Sequence, residues 1–209
     1  MERNPVGENY DRIYGRREQV FGGGKPHPLV AKIPEIIQSG QVLEFGAGQG
    51  RNSIYLAEHG LRVIAVDLSS AGIETIQRLA EEKQLPNLHA EIGDARNEIE
   101  GEYDAIVSTF MLQHLSEDDA LRFIERVKLH TKIGGVNAIT AFTKDGDLGT
   151  TDANKNHFYP NSGQLKELYT DWEILDYGEE RRKLLQKYPD GSAMFNMSAE
   201  LLARKLKHS

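Results

Sequence analysis

The apolar positions of the chain alternate between two periods. Val42, Leu43 and Phe45 make a short run that glycines cut off, and Ser53-Ile-Tyr-Leu-Ala57 follows at helical spacing, with Gly60 placed to end the helix. Leu61 to Val66 reads as a buried second strand; Ile73, Ile76, Leu79 and Ala80 then recur as one helix face behind a cap at Ser69 or Ser70. Leu88–Ile92 and Tyr103–Val107 predict a third and a fourth strand. Ser116 with Asp119 fits a capping box for the helix carrying Leu121, Ile124 and Val127, and the Gly134-Gly135 turn leads into a fifth strand over Val136–Phe142. Strands alternating with helices indicate a parallel sheet. Leu29 to Gln38 reads as a helix interrupted at Pro34.

The last third changes pattern. A polar loop over 143–157 precedes a helix near Ser162–Tyr169, and then strands over Trp172–Tyr177 and Ala193–Ala203 flank a Pro189-Asp190-Gly191 turn. These two strands predict an antiparallel pair closing one sheet edge. The fold class is α/β, doubly wound and mostly parallel, as a single domain over 1–209. Residues 1–28 form an N-terminal arm in which Tyr10, Ile13 and Tyr14 have helical spacing before the Gly22–Gly24 joint. Two readings stay open for it: a frayed terminus, or a lid whose tyrosines close over a site.

The glycines after the first strand carry the candidate chemistry. Strand, glycine turn and helix let a ligand approach bare main chain beside the unpaired N–H groups of a helix start. A dinucleotide turn runs G-x-G-x-x-G, whereas here Gly46, Gly48 and Gly50 run G-x-G-x-G and Arg51 occupies the third dinucleotide position. Asp67 ends the second strand, where a carboxylate accepts from a ribose diol. Asp94 ends the third, where it can accept adenine amino hydrogens beside the amides of Ala95 and Arg96. Glu44 is placed to meet a cationic amine. An adenosine carrying an amino-acid group and no pyrophosphate fits that set, which is the inventory of S-adenosylmethionine.

Composition narrows the classes. A net charge of −7 from 32 acidic and 25 basic residues argues against a nucleic-acid grip. The chain has no cysteine, which removes disulfides and thiolate metal sites, and its seven histidines show no close ligand spacing, so no metal is predicted. No apolar run approaches the ~18 residues of a membrane helix and the start has no signal-like apolar stretch, so a cytoplasmic protein, monomer or homodimer, is expected.

The stretch Val42–Ser53 with Asp67, Asp94 and the Gly134-Gly135 turn resembles the class I S-adenosylmethionine-dependent methyltransferases. Within them, Gly50-Arg-Asn-Ser53-Ile-Tyr-Leu-Ala57, Asn87-Leu-His89, Ser108-Thr109 and Leu201-Leu-Ala-Arg-Lys205 are similar to the tellurite-resistance methyltransferases, with the thiopurine methyltransferase group as a relative. The resemblance implies a Rossmann-like, seven-stranded sheet with its last strand antiparallel. It also implies methyl transfer from S-adenosylmethionine, leaving S-adenosylhomocysteine, to a small acceptor such as a chalcogen oxyanion (tellurite, selenite) or a thiol. The cofactor set expected is Glu44, Gly46, Gly48, Gly50, Asn52, Asp67, Leu68, Asp94 and Ala95, and the candidates on the acceptor side are His114, His157 and Tyr14. In one respect the chain departs from that family: the His-Arg pair and further Arg of the family's last hairpin fall here on Leu185, Gln186 and Ala193, with Arg181, Arg182 and Lys187 nearby. Alternative readings are a methyltransferase acting on a protein or another metabolite, a non-catalytic S-adenosylmethionine-binding module, and a dinucleotide oxidoreductase.

Overall fold

The structure is a computed structural model that describes residues 5–15, 22–148 and 156–207. One seven-stranded sheet has the order β3-β2-β1-β4-β5-β7-β6. Its strands are β1 (Gln41–Phe45), β2 (Arg62–Asp67), β3 (Leu88–Ile92), β4 (Tyr103–Thr109), β5 (Thr131–Gly146), β6 (Glu173–Lys187) and β7 (Ala193–Arg204). The first five pair in parallel. β7 lies antiparallel between β5 and β6, as expected for the terminal pair.

Alternation along the strands sends side chains to two cores. Leu43, Val66 and Ile106 face α6 (Glu117–Leu129) and α7 (Gln164–Glu167). Val42, Val63 and Ala105 face α2 (Pro28–Ala31), α3 (Ile33–Ile36), α4 (Arg51–Glu58) and α5 (Ser70–Glu82). Strands buried on both faces read as continuous apolar runs, which is why β1, β2 and β4 were legible. The expected caps form. Ser69 Oγ accepts from the Gly72 amide at 3.1 Å, and Ser116 Oγ from the Asp119 amide at 3.2 Å.

Three expectations need correction. β5 begins at Thr131, and Gly134-Gly135 lie inside it as a bulge: the pairing with β4 jumps from Tyr103↔Thr131 to Ala105↔Val136. β6 runs to Lys187 because its ladder with β7 continues through the polar stretch Glu179–Lys183, an edge strand with no need of an apolar pattern on both faces. The helix near Ser162–Tyr169 is a single turn, Gln164–Glu167, and Gly163 before it provides no side-chain cap. In the arm, α1 (Pro5–Tyr14) packs on α5. The arm's middle, 16–21, and residues 149–155 of the loop 143–157 lie outside the described residues. Among the described residues, no helix is long and apolar enough to cross a membrane.

Candidate active site

The carboxyl ends of β1, β2 and β4 open into a cavity of about 970 Å³, roofed by α1 and walled on one side by Arg182–Gln186 of β6. The glycine turn forms its floor. Gly46 (φ +69°) would bring a Cβ within 2.8 Å of Met111 Cβ and Cγ, and Gly48 (φ +57°) within 2.8 Å of the Tyr14 hydroxyl. Only bare backbone fits in both places. Gly50 (φ +82°) is different: it does not line the cavity, and its Cβ would meet Ile76 Cγ1 at 2.6 Å. Its glycine requirement comes from α5 packing.

Glu44 is fully buried behind the floor and does not line the cavity. It accepts hydrogen bonds from Asn52 Nδ2 (2.7 Å) and from Ser53 Oγ. Burial pushes its carboxyl up to about 7, against those two bonds. Asn52 does line the cavity and stands between it and Glu44. Beside it lies a group the sequence reading left without a role. The Arg51 guanidinium borders the cavity and makes no hydrogen bond to a described residue; burial pulls its pKa below the ordinary range while Glu44 favours its charge.

Asp67 reaches the cavity with both oxygens oriented by main chain. Oδ2 accepts from the Gly48 amide (2.7 Å) and Oδ1 from the Ser69 amide (2.8 Å). Each oxygen keeps a further lone pair for a ligand hydroxyl. Burial raises its pKa against these bonds. Leu68 and Ala95 line the same side. Asp94 also lines it, but its carboxylate is held by the Arg96 guanidinium (3.0 and 3.1 Å from Nε) and the Arg96 amide (2.9 Å), which keep it below the ordinary carboxylate range. An adenine amino group at Asp94 therefore competes with an ion pair already formed.

Tyr14, His114 and His157 all line the cavity, so the structure brings the three acceptor-side candidates together. Tyr10 joins them, its hydroxyl 3.0 Å from His114 Nε2. α1 is held over the site by Asp11, whose carboxylate accepts from Ser69 Oγ (2.6 Å) and the Ala71 amide (3.1 Å) at the start of α5. Gln113 is buried, donates to the Phe110 carbonyl through Nε2, and leaves Oε1 without a partner among the described residues. Phe110 has φ +55°, a rare backbone state for a bulky residue, and its ring packs against Phe142 (4.7 Å between centroids) with the Arg182 guanidinium 5.7 Å from its centre. Arg182 binds Glu200 through Nε (2.9 Å), and His27 Nε2 stands 3.5 Å from the same carboxylate. Burial opposes ionisation of Glu200, but His27 and Arg182 outweigh it and bring its carboxyl down to about 2. Leu185 and Gln186 occupy the cavity wall next to Arg182. Contacts this remote in sequence leave no spacing signal, so the Glu200–Arg182–His27 group was invisible to pattern reading.

The sheet order, with a glycine-floored cavity over its carboxyl ends, defines the class I methyltransferase fold. The family described as tellurite resistance protein TehB matches residues 19–198. A "Probable S-adenosyl-L-methionine-dependent methyltransferase TehB" from Haemophilus influenzae is 34% identical over 181 residues, 86% of this chain and 62% of the relative. The crystal structure of TehB from Haemophilus influenzae superposes with a TM-score of 0.77 at 30% identity, covering 95% of this chain and 66% of that one. A Haemonchus contortus phosphoethanolamine N-methyltransferase 2 in complex with S-adenosyl-L-methionine shares the fold (TM-score 0.67, 17% identity, 94% of this chain and 57% of that one). The chain belongs to the TehB family and spans 62% of the length of that Haemophilus influenzae relative.

Proposed function

We propose that the chain transfers a methyl group from S-adenosylmethionine to a small-molecule acceptor, a chalcogen oxyanion or a thiol. The observation that supports this reading most directly is Asp67. A half-buried carboxylate held by the Gly48 and Ser69 amides at the cavity edge is suited to a ribose diol. The rest of the site fits the same ligand: Gly46 and Gly48 leave a cradle that any Cβ would fill, and Arg51, which makes no hydrogen bond to a described residue, offers its cation to a carboxylate. Glu44 stands behind Asn52, whose side-chain amide it holds at the cavity wall.

The bound sulfonium supplies an activated methyl group and a neutral thioether leaving group. The protein's own part is alignment, worth up to ~7–11 kcal/mol in well-oriented systems, and exclusion of water. α1 serves the second role as a lid, with Val6, Ile13 and Tyr14 over the cavity. The test is incubation with S-adenosylmethionine and a panel of tellurite, selenite, thiols and small acids, with S-adenosylhomocysteine release as the readout. Release with at least one member supports the reading; cofactor binding with no turnover across the panel assigns the chain to the non-catalytic binding class instead.

A further inference from the structure

Tyr10 and His114 are 104 residues apart in sequence, and the fold joins them inside the cavity. Tyr10 comes from α1, and His114 from the helical turn Leu112–His114 after β4. Their rings meet edge to face, 5.3 Å between centroids at 85°, with Tyr10 Oη 3.0 Å from His114 Nε2. Neither side chain makes another hydrogen bond to a described residue. Each direction of the bond leaves one donor without a described partner, the phenol O–H or the imidazole Nδ1–H; with the phenol donating, His114 carries its hydrogen on Nδ1 and presents Nε2 as the acceptor.

We propose that Tyr10 and His114 together take the proton of the methyl acceptor, and that this chain's acceptor is therefore an X–H group, with X oxygen, sulfur or selenium. The proposal rests on the methyltransferase reading and narrows its acceptor to a thiol, selenol or hydroxyl, since the chalcogen atom of an oxyanion carries no proton to lose. The electron balance is simple. A lone pair on X forms the bond to the methyl carbon, and the carbon–sulfur pair leaves with the thioether. The X–H pair stays on X. Its proton passes to Tyr10 Oη as the Tyr10 proton passes to His114 Nε2, and the resulting imidazolium gives its proton to water after product leaves. A methylated oxygen, sulfur or selenium that still carries its proton is a strong acid, so a weak base suffices.

The surroundings suit these roles. The charged and titratable groups facing the pair are Asp67 and Tyr14 on the cofactor side and His157 and Tyr159 on the other. Burial, Asp67 and Tyr159 push the Tyr10 phenol up to about 12, so it keeps its proton and donates. Burial, with His157 nearby, pulls His114 down to about 4, so it stays neutral and accepts. Because Tyr10 belongs to α1, the proton acceptor is complete only when that helix covers the cavity.

The first experiment reads the tautomer without any acceptor. In the S-adenosylhomocysteine complex of histidine-¹⁵N-labelled protein, His114 is expected to show an unprotonated, hydrogen-bonded Nε2 whose resonance moves in Tyr10→Phe. An Nε2–H tautomer overturns the proposal and leaves the methyltransferase reading standing. The second compares the wild type, Tyr10→Phe and His114→Gln on aryl thiols of graded acidity and on dimethyl selenide, which has no proton to lose. The expected result is a loss of at least about tenfold on the least acidic thiol at neutral pH, shrinking as pH rises and the thiol ionises, with dimethyl selenide unaffected. A loss equal at every pH and for every probe overturns the proposal, since that is what a merely structural contact gives. Calorimetry with S-adenosylhomocysteine accompanies both. A wild type that does not bind it overturns the methyltransferase reading itself.

Discussion

Asn52 donates to Glu44 Oε1 at 2.7 Å while its own Oδ1 accepts from the His27 amide at 2.8 Å. One amide thus ties the buried acid of β1 to the segment that opens α2, and it does so from the cavity wall. The consequence for stability follows from where Glu44 titrates. Burial lifts its carboxyl from the ordinary 4.5 to about 7. Between those values the folded chain keeps a proton that the unfolded chain has released. Stability from this group is therefore fully present below 4.5 and falls as pH rises to about 7, by about 3 kcal/mol in all. Glu44→Gln is expected to remove that slope. Denaturant titrations of both proteins across the interval check it; parallel stability profiles would show that Glu44 ionises normally.

Asp67→Ala is expected to raise the dissociation constant for S-adenosylmethionine at least about tenfold, the loss of a charge-assisted pair of hydrogen bonds. The variant also frees the Gly48 and Ser69 amides that the carboxylate holds. Asp67→Asn separates the two effects, because its single side-chain oxygen can hold only one of those amides while its size is kept. Isothermal calorimetry reads all three proteins, and unchanged binding in Asp67→Ala would sink the ribose assignment.

The legible parts of this chain are those that local physics controls. β1, the glycine turn and Asp67 were readable because a strand buried on both faces must be apolar and a floor touched by Met111 and Tyr14 must lack Cβ atoms. Gly50 shows the limit of that logic. In sequence it continues the motif, but the atom that excludes a side chain there belongs to Ile76. Asp94 shows another: Arg96 two residues on already engages it, a local pairing that the strand-end pattern does not reveal. Arg182 became part of the cavity only because β6 runs far past its apolar start, carried by pairing with β7, and Glu200 then turns that arginine toward Phe110. Such ladder contacts join residues whose spacing has no period to detect.

Asp11→Ala tests the docking of α1. The carboxylate accepts from Ser69 Oγ, Ser70 Oγ and the Ala71 amide, so it anchors α1 to the first turn of α5. Burial opposes its ionisation, but the bonds from Ser69, Ala71 and Ser70 hold its pKa below the ordinary value. Ser69 still caps α5 in the variant, so the sheet and its helices stay folded. The expected outcome is faster hydrogen exchange confined to residues 5–14, with a loss of about 1 kcal/mol typical of a removed capping contact. Exchange unchanged in α1 would mean that Tyr10, Tyr14 and the apolar contacts hold the helix without Asp11.

Gly72 gives the sharpest steric prediction. It sits in the first turn of α5, where its backbone is helical and alanine would ordinarily be favoured by roughly 1 kcal/mol. A Cβ there, however, would stand 2.6 Å from the Gly48 carbonyl oxygen and 3.2 Å from Tyr14 Cδ2. Backbone cannot yield as a flexible side chain does, so α5 and the glycine turn must move apart. Overpacking of this kind costs about 1–3 kcal/mol and outweighs the helix gain. Gly72→Ala is therefore expected to lower the melting temperature and, by displacing Gly48, to weaken S-adenosylhomocysteine binding at least about fivefold. Gly178→Ala is the control, since nothing lies within 4 Å of its Cβ position on β6. Thermal melts and calorimetry on the two variants decide the matter: a Gly72→Ala protein as stable and as tightly binding as Gly178→Ala would mean that the approach of α5 to the glycine turn is not a constraint on the site.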